Sequence, residues 1–194
     1  MVELMEARLR TGAFSPHRHE TYTIAVTTAG VQSFNYRGDQ WQSLPGQAVI
    51  LHPDEVHDGF CRDQGGFAYR AAYLPPSHVQ AVIGGAPLPF LFAATTSDAD
   101  LVKSALRLID ICAAGDDPFG YQDALFQLVS AMQRGEGGTP TKRRINREAV
   151  ARVRAFLDDG PAPGTNLAQL EGIAGYDRWQ LSRDFRLLLG TSPY

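Results

Sequence analysis

The sequence predicts a mixed fold: an all-β barrel or sandwich at the N-terminus with an αα-hairpin, then a small all-α helix-turn-helix domain. Three observations predict it. The first 75 or so residues break into short β-branched and aromatic runs separated by Gly and Pro, the pattern of a sandwich or barrel. From Asp98 onward the apolar spacing changes to three and four, the period of a helix packed on one face. Residues 135–147 are Gly-rich, then basic, and almost free of apolar side chains, as a linker is. The chain therefore divides into 1–134, a linker at 135–147, and 148–194.

Tyr22–Thr28 is β-branched and aromatic and is closed by Gly30. Gln32–Tyr36 and Trp41–Leu44 follow, with Gly38-Asp39 read as a two-residue loop of the Gly-first kind. Pro45-Gly46 turns the chain into Ala48–Leu51, and two more strands are expected near His57–Arg62 and Phe67–Leu74. Asp98 then caps a helix with the stripe Val102, Ala105, Leu106, Ile109 and Cys112, which Gly115 closes. Asp117-Pro118 starts another, with the stripe Tyr121, Leu125, Leu128, Val129 and Met132. Such a pair forms an αα-hairpin; its stripes serve either to pack on the barrel or to form a dimer seam.

Three short helices are expected after the linker. Ala149, Val150, Val153, Phe156 and Leu157 make the first stripe, which 159–164 breaks. Asn166 caps a second helix with Leu167, Leu170 and Ile173 inward, and Gly175 turns the chain. Asp177 caps a third with Leu181, Phe185, Leu188 and Leu189 inward, and Gly190 stops it.

Of 194 residues 44% are hydrophobic, enough for a real core, and the two cysteines, Cys61 and Cys112, have no metal or redox spacing. No signal peptide or membrane-length run is present, so a reduced, cytoplasmic setting is expected. The net charge of −3 is unevenly spread: residues 142–194 carry nine basic and six acidic side chains, the remainder nine basic and fifteen acidic. A basic tail piece on an acidic body suits contact with a polyanion, though a few Arg on helices are also an ordinary solvated face.

Two short helices joined by a Gly turn make a helix-turn-helix. On the last helix, Arg178, Trp179, Ser182, Arg183 and Arg186 are expected opposite the apolar stripe, with chemistry suited to base edges and phosphates. The words Leu167-Ala-Gln-Leu170, Ala174-Gly175, Leu181-Ser-Arg-Asp-Phe185 and Gly190-Thr-Ser-Pro-Tyr194 closely resemble the signature of the AraC/XylS family of transcription regulators. Glu171-Gly172 departs from it where Ala is usual, and Asp177 where Ser is. The resemblance implies a second helix-turn-helix beyond Tyr194, so the chain reads as a sensor plus the first half of a DNA-binding domain.

The N-terminal part resembles the cupin-like sensor of the same family, through His17-Arg18-His19, Pro45-Gly46-Gln47 and Pro53-Asp54-Glu55-Val56-His57. That implies a double-sheet jelly roll. Residues 17 and 19 share a face if the strand is regular, and with His57 they offer three imidazoles to a divalent metal such as Zn or Fe. Enzymatic cupins usually add a Glu shortly after the His pair; here Tyr22-Thr-Ile-Ala stands there. The other reading of the histidines is a hydrogen-bonded cluster at a pocket mouth. His52 and His78 show no partners in the sequence and read as packing or surface residues. By the family resemblance, Thr23, Ala25, Trp41 and Tyr69 fall at effector-lining places. The expectation is a non-enzymatic, ligand-responsive, DNA-binding regulator, homodimeric, with operator DNA and a small effector as partners and no membrane. The rival is a metal-dependent cupin enzyme of dioxygenase or isomerase type.

Overall fold

The computed structural model describes residues 2–193 except 11, 62–64, 116, 136–144, 161–164, 177, 190 and 192. Side chains at 167, 168, 178–180, 183, 186 and 187 also lie outside the description. The strands are β1 (Glu3–Leu9), β2 (Ala13–His17), β3 (Tyr22–Gly30), β4 (Gln32–Tyr36), β5 (Asp39–Ser43), β6 (Ala48–Leu51), β7 (His57–Cys61), β8 (Phe67–Leu74) and β9 (Thr95–Thr96). The helices are α1 (Pro76–Ile83), α2 (Ala99–Ala114), α3 (Pro118–Gly135), α4 (Arg147–Asp158), α5 (Leu167–Ala174) and α6 (Arg178–Leu189).

Two antiparallel sheets form the β-part, in the orders β1-β8-β3-β6-β9 and β2-β7-β4-β5. Strand β3 shows why the sequence needs two layers of core. Its Tyr22, Ile24 and Val26 point to one face and join Leu101, Leu108, Leu128 and Met132 of α2 and α3 in one apolar cluster. Ala25 points to the other face and joins Phe34, Tyr36, Val49, Leu51, Phe67 and Tyr69 between the sheets. A strand buried on both faces loses the simple apolar–polar alternation and reads as a continuous hydrophobic run. Each fully buried Leu or Ile here contributes about 1.5–3 kcal/mol.

Strands β4, β6 and β8 start and end where the sequence places them. The β4–β5 hairpin does not: Tyr36 pairs with Asp39, so its loop is Arg37-Gly38, one residue earlier than expected. Both loop residues have positive φ, 54° and 80°, the sign pair of a type I′ turn rather than a Gly-first II′ turn. Four elements carry no clear sequence signal: the edge strands β1 and β2, the two-residue β9 and the short helix α1, which starts on Pro75-Pro76 and ends on left-handed Gly84.

Helix α2 is capped by Asp98, whose carboxylate accepts from the Leu101 amide at 2.8 Å. Its buried face is Leu101, Ser104, Ala105, Leu108 and Ile109, rotated from the expected stripe. Val102, Leu106 and Cys112 are only partly buried. The α3 stripe holds at Leu125, Leu128, Val129 and Met132. Helices α4, α5 and α6 share their own core of Val150, Val153, Leu170, Ala174, Leu181 and Phe185. Of the expected linker, 136–144 lies outside the described residues, as do the Asp177 cap and the Gly190 stop.

Candidate functional site

A cavity of about 120 Å³ opens between the two sheets. Thr23 and Ala25 from β3 and Tyr69 and Tyr73 from β8 line one wall, and Gln32 and Phe34 from β4 the other. His17, His19 and His57 form its polar end. Three of the four expected effector-lining residues are thus brought to one cavity. Trp41 is not among those lining it: it packs against the inter-sheet core, and its indole N–H donates to the Tyr36 carbonyl at 3.2 Å.

The three imidazoles converge. Ring centroids lie 4.6 Å apart for His17–His57, 5.0 Å for His17–His19 and 5.4 Å for His19–His57. One ring nitrogen from each falls within 4.8 Å of the others. The route to this arrangement differs from the expected one. His17 is the last residue of β2 and pairs with His57 of β7, whereas His19 lies in the connection before β3. A cross-strand pair and a turn, not alternation along one strand, build the cluster.

Hydrogen bonding sets the tautomers. His17 Nδ1 lies 2.6 Å from the Ser15 carbonyl and His57 Nδ1 3.0 Å from the Glu55 carbonyl. A carbonyl only accepts, so each Nδ1 carries a proton, and in the neutral ring Nε2 is then the nitrogen with the lone pair a metal ligand needs. Burial pushes His57 down to about 4, against a partial rise from its hydrogen bond to Glu55. Burial also lowers His19, with the His17 charge adding to the effect. The donor set therefore fits a divalent ion. Zn–N bonds of about 2.0–2.1 Å at tetrahedral angles set the nitrogens about 3.4 Å apart, so a pair 4.8 Å apart would close by about 1.4 Å. Four-coordination by three His leaves a position for an outside ligand.

The loop that carries His57 is held from several sides. The Asp54 amide donates to the His19 carbonyl at 2.7 Å. The Glu55 carboxylate, on a residue 2% exposed, accepts from Arg37. Arg37 also reaches the Leu91 carbonyl at 3.1 Å and lies over the Phe90 ring. His52, read from sequence as a residue without partners, is buried: its Nε2 accepts from the Leu91 amide at 3.1 Å and its ring meets the Tyr36 hydroxyl. His78 likewise has a partner, the Tyr121 hydroxyl, at 2.5 Å. Sequence reasoning named Glu55 only as part of the cupin-like motif and missed Arg37, whose left-handed backbone, φ 54°, the structure alone shows.

Of the cavity's polar groups, the Thr23 hydroxyl is buried and makes no hydrogen bond. Tyr69 is different, since its hydroxyl contacts the Met5 sulfur at 3.1 Å.

In the C-terminal helices, Asn166 and Gln169 close a full capping box at the start of α5, and Gly175 ends it with φ 80°, a left-handed residue that reverses the chain. Helix α6 follows at once. Ser182, expected on its outer face, is 1% exposed and so is turned into the packing rather than toward a partner. Arg178, Trp179, Arg183 and Arg186 lie on α6, their side chains outside the described residues.

The fold and cavity define a double-sheet β-barrel protein with helices on one sheet and a histidine-ended pocket between the sheets. Residues 1–129 match the family described as AraC-like ligand binding domain, and the chain belongs to that family. No curated protein sequence matches. Among solved structures, KdgF from a Halomonas species is similar at 16% identity, TM-score 0.34, over 37% of this chain and 68% of that one. A cupin 2 conserved barrel domain protein from Salinispora arenicola is similar at 18%, TM-score 0.36, over 39% and 65%. Apo ToxT from Vibrio cholerae is similar at 8%, TM-score 0.49, over 95% of this chain and 74% of that one. Among the described residues no helix is long and apolar enough to cross a membrane.

Proposed function

We propose that the chain is a ligand-responsive transcription regulator of the AraC type. The observation that carries this reading is the match of residues 1–129 to a ligand-binding family, ahead of three helices with their own core. In this reading the inter-sheet cavity takes a small effector, read by Thr23, Ala25 and Tyr69. Helices α5 and α6 form the helix-turn-helix, and Arg178, Trp179, Arg183 and Arg186 meet DNA. The basic surplus of residues 142–194 supports a polyanionic partner. Ser182 drops out of the reading face because it is buried.

The protein pairs as a homodimer through α2 or α3. Val102 and Leu106 line an open groove on α2, and Phe119 and Phe126 stand exposed two turns apart on α3. A single species of monomer mass in sedimentation at tens of micromolar would remove this part.

The test of the main reading is selection of duplexes from a random library by the whole gene product. An enriched motif is expected. Arg183→Ala is expected to weaken binding to it about ten- to a hundred-fold while non-specific binding persists. Failure to enrich any motif would overturn the reading. The three-histidine cluster favours a second one, a metal-dependent cupin enzyme. In either reading His17, His19 and His57 would hold the ion, which supplies a Lewis-acid centre with an open position.

A further inference from the structure

Reading the barrel as the effector pocket leaves open what kind of molecule it takes. The cavity's own chemistry narrows this. Three neutral imidazoles leave a divalent ion with its full charge. Asp58, the one carboxylate lining the cavity among the described residues, accepts from the Asn35 amide at 2.7 Å and from its side chain at 2.8 Å. Glu3 bears on His19 through its charge but belongs neither to the histidine cluster nor to the cavity lining. Among the described residues no Lys or Arg lines the cavity. A bare organic acid would therefore enter the cavity without a cationic side chain to meet it, and an ion on the three imidazoles, of which only His57 is buried, would keep an uncompensated charge. Together they neutralise one another. Thr23, 7% exposed, adds the directional group: a buried hydroxyl with no hydrogen bond. It lies on the same wall as Tyr73, its register partner, whose ring packs on His19 at 4.7 Å.

We propose that the pocket recognises a small carboxylate that binds through a divalent metal on His17, His19 and His57, with the Thr23 hydroxyl donating to the acid's second oxygen. The proposal rests on the effector-pocket reading and makes metal and acid mutually dependent ligands. Thr23 is the specificity-determining residue, because its unmet donor is satisfied only when an acceptor enters.

The test uses the full chain, Co(II) as the metal and glycolate as the probe, with ethylene glycol as its uncharged counterpart. Co(II) is expected to bind at one equivalent with visible bands. Glycolate is expected to shift those bands, ethylene glycol is not, and glycolate should not bind the metal-free protein in calorimetry. Thr23→Val preserves side-chain shape. It should hold Co(II) as tightly as the unmodified chain and bind glycolate about tenfold or more weakly; Thr23→Ser should restore the affinity. Should Thr23→Val not fold, Thr23→Ala against Thr23→Ser decides the same point. Bands unmoved by glycolate, equal response to ethylene glycol, or full glycolate affinity without the hydroxyl would overturn the proposal. Absence of Co(II) binding would overturn it too, while leaving the regulator reading to stand or fall on the DNA selection.

Discussion

Arg37 and Glu55 form a buried ion pair that fastens the β4–β5 hairpin tip to the loop leading into His57. The guanidinium also donates to the second Glu55 oxygen at 3.1 Å, a bidentate arrangement. The same pairing explains why a non-Gly residue occupies a left-handed turn position, φ 54°: its side chain is anchored at several points.

Breaking this pair on one side is therefore expected to be severe. Glu55→Ala should cost about 3–5 kcal/mol, because it leaves the Arg37 charge buried and unpaired. The double change Arg37→Met with Glu55→Leu should cost less than Glu55→Ala alone. Denaturant unfolding measures both; equal or reversed costs would refute the buried-charge account.

His57 makes the metal-free protein sensitive to acid. In the unfolded chain its ring takes a proton near its ordinary value of 6.5, whereas in the fold burial delays this until about 4. The unfolded state thus binds more protons between those values, and stability rises with pH from about 4 to 6.5 and is level above. The span is worth about 3 kcal/mol. A difference curve of wild type against His57→Gln, by denaturant unfolding from pH 4 to 7, should show this slope; a flat difference would refute it.

Thr23→Val should stabilise the metal-free, effector-free fold by about 1 kcal/mol or more, since it removes a buried hydroxyl without a partner and costs no contact. A loss on thermal unfolding would mean that the hydroxyl is satisfied.

Gly66 sits with φ +68°, and a Cβ there would lie 2.1 Å from the Leu9 carbonyl oxygen. Gly66→Ala is expected to destabilise the β-domain by at least about 2 kcal/mol, against about 1 kcal/mol for Asn166→Ala, which removes only the α5 cap. Comparable losses in the two variants would contradict the close approach.

The local code was legible in the residues themselves. Turn glycines, the caps Asp98 and Asn166, the strands β4, β6 and β8 and the apolar rows of α3 all rest on short-range preferences that neighbours along the chain express. The three histidines and the lining residues Thr23, Ala25 and Tyr69 were also named from sequence, though by family resemblance more than by pattern. The tertiary structure alone decided the rest. It placed His17 and His57 opposite each other through strand pairing and moved the hairpin loop to Arg37. It rotated the buried face of α2 toward Leu101 and Leu108, drew Ser182 into the packing and left Trp41 outside the cavity. It also joined Arg37 to Glu55, eighteen residues away. These outcomes share one physical reason: register, helix rotation and long-range ion pairs are fixed by which surfaces must be buried together, and that is settled only when the two sheets and the helices meet.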